Sequence, residues 1–277
     1  MSSKVNYGRY RVNTDGLVFR VDGYSERSYD HNTEYWRDLA PSGFDVKLTD
    51  TGLYDEDSGY YKFRNPDNAS NKYAAVSGAN FTGLRSLGVL KDNDSSFTIE
   101  AFFEIKTSGS NSPPDDGSVI FGNTDANKSG YSYGLIAKTG EGGEVSGINA
   151  FIASNKLDQG SNHPWTGVEV VLSDVNNPSI SGSDFRHAAM TYNGSNGKMI
   201  GYLDGLVKGT GTFPSSNTDG LHDGTVDGVY QQFYIGGNPS SGLNANIGMV
   251  ACYNRALSSG EVLGNCKAVK HRYGQGY

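Results

Sequence analysis

The stretch FTIEAFFEI, residues 97–105, decides the fold of this chain. Its apolar residues recur at every second position, and threonine, two glutamates and one phenylalanine stand between them. A period of two is typical of a β-strand with one buried and one open face. We therefore predict that this stretch is the central strand of a β-sandwich, and that its open face displays Glu100, Phe102 and Glu104.

The composition also favours an all-β protein. The 277 residues include 38 glycines and 18 tyrosines but only 4 methionines, and the apolar runs are short. Many short strands joined by turns have this composition, whereas a helical bundle needs longer apolar stretches. Because all-β domains often contain about 200 to 250 residues, we predict one domain over residues 16–277, preceded by an N-terminal arm at 1–15.

Local patterns predict the remaining elements. Asp204-Gly205, between two alternating segments, is typical of a two-residue hairpin turn. Ser258 and Glu261 match the S-x-x-E capping box that begins a helix. The other predicted strands lie near residues 17–21, 46–48, 60–63, 74–76, 119–121, 133–137, 148–153, 168–172, 185–192, 198–203, 232–235 and 247–253. We expect Trp36 to plug one end of the core, and the cysteines Cys252 and Cys266 to be buried free thiols.

Several segments in this order resemble the laminin-G-like, concanavalin-A-like jelly-roll domain. They are GLVFRVDG (16–23), SFTIEAFFEIKT (96–107), FRHAAMTYNGSNGKMIGYLDG (185–205) and IGMVACYNRALSSGEVL (247–263). The resemblance covers residues 16–273 and implies an all-β fold, a two-sheet antiparallel jelly-roll sandwich with one short C-terminal helix. It also implies ligand sites on a concave sheet or at the loop edge.

The segment YNRALSSGEVLGNCKAVKHRYG, residues 253–274, is similar to the end of such domains in bacteriophage virion proteins. This resemblance implies a non-enzymatic structural protein of the virion, in capsid decoration or on the tail, that contacts other virion proteins and forms homo-oligomers on the particle. The N-terminal arm could add a strand to a neighbouring sheet, or it could be a frayed terminus. Its candidate assembly residues are Lys4, Tyr7, Arg9, Tyr10 and Arg11.

A free-standing, lectin-like module that binds surface polysaccharide is the alternative. Sugars stack on aromatic rings and bond to planar polar groups, so a glycan site needs both in exposed loops. The candidate glycan-binding residues are Asn123, Asp125, Tyr131, Tyr133 and Trp165.

A glycoside hydrolase is the third hypothesis. Endoglucanase relatives carry E-x-D-x-E on one strand, and this chain keeps Glu100 and Glu104 but has Phe102 in place of the middle aspartate. Nothing would then orient the nucleophile of a retaining pair. We therefore predict that the chain is not an enzyme.

The sequence predicts no cofactor. Many relatives bind calcium through an aspartate in an I-D-E-V segment, but Gly248 stands at that position here. Acidic loops at Asp55–Gly59 and at Asp219, Asp223 and Asp227 leave calcium open, with ordinary Asx turns as the alternative.

Charge and hydropathy argue against two classes of partner. The formal net charge of −7 repels phosphate backbones, so we expect no nucleic-acid partner. No segment approaches the roughly 20 apolar residues of a membrane span, and the N-terminus lacks the apolar core of a signal peptide. We therefore expect a protein made in the cytosol and located in the virion, without a membrane partner.

Overall fold

A computed structural model describes residues 11–29, 34–63, 72–76, 95–106, 118–123, 133–139, 145–153, 167–173, 184–213, 225–226, 229–230, 232–239 and 241–273. The helices are one 3-10 turn (Thr51–Leu53) and α1 (Ser259–Arg272). The strands are β1 (Leu17–Asp22), β2 (Tyr35–Trp36), β3 (Val46–Leu48), β4 (Tyr54–Asp55), β5 (Tyr60–Phe63), β6 (Ala74–Val76), β7 (Phe97–Ile105), β8 (Ser118–Asn123), β9 (Tyr133–Thr139), β10 (Val145–Ala153), β11 (Gly167–Leu172), β12 (Arg186–Asn193), β13 (Lys198–Leu203), β14 (Leu206–Thr212), β15 (Thr225–Val226), β16 (Val229–Tyr230), β17 (Phe233–Ile235), β18 (Gly237–Asn238), β19 (Ser241–Gly242) and β20 (Ala245–Tyr253).

Most of these strands form two antiparallel sheets of eight strands each. Sheet A has the order β14-β13-β12-β7-β20-β5-β4, and β1 also pairs with β20. Sheet B has the order β11-β10-β9-β8-β17-β6-β3-β2. The prediction of a two-sheet antiparallel sandwich with a C-terminal helix is confirmed. In the part of the chain that the structure describes, no helix has the length and apolar character needed to cross a membrane.

The main core lies between the two sheets. The alternating apolar residues of β7, from Phe97 to Ile105, all contribute to it, as their period predicts. Trp36 of β2 is fully buried and stacks on Tyr61 of β5, with ring centroids 4.0 Å apart. The predicted role of Trp36 in the core is therefore confirmed.

The prediction of an open face on β7 is wrong, because all nine of its residues are buried. Phe102 belongs to a second apolar cluster that also contains Val262 and Val269 of α1. The helix packs on the outer face of sheet A and covers residues of β7 that the alternation predicted to be exposed to solvent. A period of two shows that the faces of a strand differ, but it does not show what covers each face.

Helix α1 begins as predicted. The Ser258 hydroxyl accepts a hydrogen bond from the Glu261 amide (3.3 Å), and the Glu261 carboxylate accepts one from the Ser258 amide (2.8 Å). Arg255 also donates to this carboxylate and, with the help of the capping bonds, lowers the pKa of Glu261 to about 2. The helix therefore starts at a fixed place, directly after β20.

The hairpin at Asp204-Gly205 is also confirmed. Both residues have positive φ, 53° and 76°, as a type I′ turn requires. The turn joins β13 to β14 and completes a meander from β12. The Asp204 carboxylate pairs with Arg186 (2.6 Å) and with Lys270 of the helix (3.0 Å), so the turn is also tied to α1.

Two residues of the predicted arm, Val12 and Asn13, pack on the domain. Val12 is buried in the cluster beneath α1. The Asn13 backbone amide donates to the Asn265 side-chain oxygen (2.7 Å), and the Asn13 carbonyl oxygen lies 3.1 Å from the Tyr253 hydroxyl oxygen. Val12 and Asn13 thus contact the domain, and the arm over residues 1–15 remains a prediction. Arg11 is exposed, whereas Lys4, Tyr7, Arg9 and Tyr10 lie outside the described residues.

Candidate functional site

Glu100 lies in a buried polar network rather than on an open face. One of its carboxylate oxygens is 3.2 Å from His187 Nε2, and the other accepts a hydrogen bond from the Tyr253 hydroxyl (3.1 Å). The Asn265 amide nitrogen lies 3.1 and 3.2 Å from the two oxygens. Three of these side chains belong to sheet A and Asn265 belongs to α1, and all four are buried. The carboxylate is thus fully used by the fold, as buried charges generally are.

The pKa of His187 reflects this network. Burial alone would lower the pKa, but the neighbouring Cys266 side chain and the Glu100 carboxylate raise it, to about 10. The Glu100 carboxylate, whose oxygen lies 3.2 Å from Nε2, therefore favours the protonated form of the His187 ring. Cys252 and Cys266 are buried free thiols, as predicted.

Glu104 is also committed to structural contacts. Its carboxylate accepts a hydrogen bond from the Asn246 amide (2.6 Å) and pairs with Lys106. Between the two glutamates, the Phe102 ring stacks on Phe185, with centroids 4.9 Å apart. The pair therefore has no opening through which a sugar could reach both carboxylates.

We expect the buried ion pair to make stability depend on pH in a specific direction. A histidine whose pKa rises from 6.5 to about 10 on folding contributes stability that is complete below pH 6.5 and is lost as the pH approaches 10. Denaturant unfolding should therefore show a falling free energy of unfolding between pH 6.5 and 8.5. In His187→Gln, the same interval should be nearly flat.

The pH interval of this measurement ends at 8.5 because other buried groups affect stability at higher pH. Burial raises the pKa of both the Cys252 thiol and the Tyr253 hydroxyl above their ordinary values of 9.0 and 10.0. The unfolded chain therefore releases these protons first, which also lowers stability, but only at higher pH. Equal slopes in the wild type and in His187→Gln below pH 8.5 would contradict the assignment.

The surroundings of Gly248 leave no room for a side chain that could bind calcium. A side chain added at Gly248 would place its Cβ atom 2.6 Å from the Tyr273 hydroxyl and 3.2 Å from the Phe102 ring. That hydroxyl lies 2.8 Å from the Gly59 carbonyl oxygen and 3.0 Å from the Gly248 carbonyl oxygen. The space that the family's aspartate would need is therefore filled by a tyrosine from the end of α1.

The acidic loops give no metal cluster in the described part of the chain. Asp55 pairs with Lys62, and that lysine lowers the pKa of the carboxyl group. Among the described residues, no three histidine, cysteine, aspartate or glutamate side chains are grouped to hold a metal ion. Asp219, Asp223 and Asp227 lie outside the described residues.

The predicted set of glycan-binding loop residues needs one correction. Tyr133 is the first residue of β9, and its side chain is only 1% exposed. Its ring packs in the core against Phe233, with centroids 5.3 Å apart, so it cannot stack on a sugar. Asn123 ends β8 directly opposite Tyr133. The side chain of Asn123, and all of Asp125, Tyr131 and Trp165, lie outside the described residues.

An open cleft lies instead on the outer face of sheet B. Its volume is about 490 Å³, and it crosses strands β3 and β6 toward β17. The residues that line this β3–β6 cleft come from four parts of the chain: Glu34, Lys47, Leu48, Thr49, Asp50, Tyr73, Ala75 and Gln232.

Strand register explains the shape of the cleft. Lys47, exposed between two buried residues of β3, lies opposite Ala75 of β6, and Ala75 lies opposite Tyr234 of β17. The small alanine leaves a depression between larger neighbours. Tyr73 rises beside it and packs edge-on against the Tyr234 ring, with centroids 5.5 Å apart and ring planes at 82°.

The polar groups of the cleft are charged groups in ion pairs and the uncharged carboxamide of Gln232. Glu34 and Lys47 form one ion pair (3.4 Å), and Asp50 and Lys72 form another (2.6 Å). Lys72 lowers the pKa of Asp50, so this carboxylate is ionised. Gln232 is exposed and makes no hydrogen bond within the described part of the chain. Its carboxamide is therefore available to a ligand.

Comparison with protein families agrees with the fold. Residues 68–263 match a laminin G domain family described as the Concanavalin A-like lectin/glucanases superfamily. The chain belongs to this superfamily. A comparison with curated proteins gave no match.

Solved structures with the concanavalin A-like fold resemble this chain at low sequence identity. The binding domain of botulinum neurotoxin DC in complex with SialylT has a TM-score of 0.58 and 12% identity, over 92% of this chain and 52% of that one. The same domain in complex with rat synaptotagmin II has a TM-score of 0.60 and 14% identity, with the same coverage. Trypanosoma rangeli sialidase in complex with the inhibitor DANA has a TM-score of 0.54 and 18% identity, over 92% and 33%. This chain thus spans about half or less of their length, and the similarity shows the fold alone.

Proposed function

We propose that this concanavalin A-like domain is a non-catalytic, glycan-binding module. The observation that carries the proposal is the open β3–β6 cleft, where the partly exposed ring of Tyr73 and the exposed carboxamide of Gln232 line one cavity. Rings and carboxamides are the groups by which proteins hold sugars. The lectin-like fold of the superfamily supports the same proposal.

The structural relatives support binding more than catalysis. Several are toxin binding domains, and cell entry of botulinum neurotoxin type C is dependent upon interaction with two ganglioside molecules. Sialidases are also among the relatives. In this chain, however, burial of Glu100 and Glu104 opposes a hydrolase that uses this pair.

A role in a bacteriophage particle remains a prediction. It depends on the similarity of residues 253–274 to the end of virion domains. In this proposal, the module is part of the capsid decoration or the tail and adheres to surface glycans of the host cell. A variant that lacks residues 1–10 tests whether the N-terminal segment makes assembly contacts. Immunoblot of purified virions measures how much of this variant is incorporated into particles.

The proposed function can be tested with the full chain on a glycan array, combined with an assay for released sugar. We expect retention of at least one glycan class without hydrolysis. Absence of binding to every glycan would remove the proposal. Sugar release by the wild type that is lost in Glu100→Gln would replace it with the hydrolase hypothesis.

A further inference from the structure

We infer that the β3–β6 cleft binds an uncharged oligosaccharide, with Tyr73 as the stacking platform at one end and Gln232 as the hydrogen-bonding group at the other. This inference rests on the proposed function and adds the location of the site and the class of glycan. The rigidity of the Tyr73 ring, the separation of Tyr73 from Gln232 and the charges around the cleft support it.

Tyr73 is held in place before any ligand arrives. Its amide donates to the Thr49 hydroxyl (3.0 Å), and its carbonyl accepts hydrogen bonds from the Thr49 hydroxyl (2.8 Å) and amide (3.1 Å). Its ring is supported edge-on by Tyr234. A ring that is already ordered loses little conformational entropy on binding, so more of the stacking energy appears as affinity.

The two residues lie far enough apart to require more than one sugar ring. Tyr73 precedes Ala75 by two positions, and Gln232 precedes Tyr234 by two positions, while Ala75 and Tyr234 lie opposite each other. Because the strands are antiparallel, these offsets point in opposite directions. At about 3.3 Å per residue, Tyr73 and Gln232 are separated by about 13 Å along the sheet.

The volume of the cleft agrees with a ligand of this length. Its 490 Å³ lies within the range of about 300 to 1,000 Å³ that is typical of ligand sites. The carboxamide of Gln232 can both donate and accept hydrogen bonds. Sugar hydroxyls also do both, so the group suits a glycan better than it suits a purely anionic ligand.

Charge balance points to an uncharged glycan. Two carboxylates, Glu34 and Asp50, are each paired with a lysine, so the formal charges of the described residues at the cleft sum to zero. Among the described residues that line the cleft there is no arginine, and these residues therefore do not offer the bidentate arginine contact that recognises carboxylates. The net charge of −7 also repels anionic sugars at long range.

The test is a titration of the full chain with lactose, maltotriose, chitotriose and mannotriose, and with sialyllactose as the anionic counterpart of lactose. Binding is followed by calorimetry and by saturation-transfer NMR. We expect an uncharged trisaccharide to bind more tightly than its component monosaccharide, and sialyllactose to bind no better than lactose.

Variants locate the site. Tyr73→Ala should weaken the affinity for the bound trisaccharide at least about tenfold, because it removes the stacking platform. Gln232→Ala should weaken it several-fold, and Tyr73→Phe should retain most of it. The matched control is Tyr35→Ala, which removes an exposed tyrosine of sheet B that does not line the cleft and should leave the affinity unchanged. Thermal unfolding of each variant shows that it folds.

The outcomes separate this inference from the proposed function. Tight glycan binding that persists in both Tyr73→Ala and Gln232→Ala would overturn the cleft as the site while leaving a glycan-binding module. Binding of sialyllactose alone would overturn the uncharged class. Binding of a peptide but no sugar, in a parallel peptide array, would remove the proposed function itself.

Discussion

Replacement of Glu100 by alanine is expected to lower the free energy of unfolding by about 3–5 kcal/mol. The carboxylate is fully buried and is the counter-ion of the His187 ring. Its removal leaves the buried His187 ring without its partner and lets burial lower the pKa of that ring, and the amide of Asn265 loses its two carboxylate contacts. Urea unfolding monitored by circular dichroism at pH 7 measures this loss.

Two further variants separate charge from the general effect of losing a glutamate. Glu34→Ala removes an exposed glutamate from a surface ion pair and should change stability by no more than about 0.5 kcal/mol. Glu100→Gln combined with His187→Gln removes both charges and should recover part of the loss. If Glu100→Ala costs less than about 1 kcal/mol, the network does not hold the helix to the sheet.

The second large effect is expected for Trp36→Ala, with a loss of about 3–5 kcal/mol in the free energy of unfolding. The indole is fully buried and stacks on Tyr61. Its nitrogen has no hydrogen-bond partner in the described part of the chain, so the loss comes from packing and from the cavity that remains. The same urea titration measures it.

The preceding residue provides the control. Tyr35 belongs to the same short strand, but its side chain is 37% exposed on the outer face. Tyr35→Ala should therefore cost less than about 1 kcal/mol. Similar losses for the two variants would mean that strand β2, rather than the indole, determines the effect.

The fold could be predicted from the sequence because its signals are local. Alternation along residues 97–105 places Phe97, Ile99 and Phe103 in the core, and the structure confirms it. Asp204-Gly205 and the Ser258–Glu261 box depend on interactions within a few residues. These signals remain the same whatever else the chain contacts.

The site could not be predicted in the same way, because it depends on contacts between distant segments. The outer face of β7 is closed by a helix that begins at residue 259, and no property of residues 97–105 indicates that. Tyr133 was expected to expose its ring beside a loop, but as the first residue of β9 it directs the ring into the core. The β3–β6 cleft combines Glu34, Tyr73 and Gln232. The predicted strand at 74–76 gave no indication of which segments would lie beside it.

The position of β20 in sheet A has a consequence for biosynthesis. This strand pairs with β7 on one side and with β1 and β5 on the other. The ribosome must therefore deliver residues 245–253 before the middle of that sheet can form, and the helix that follows must emerge before Glu100 is shielded from water. Until then, β1 and β7 expose unpaired backbone, which favours association between nascent chains. Completion of this sheet thus waits for residues 245–273, and its slowest contacts join segments that are far apart in the chain.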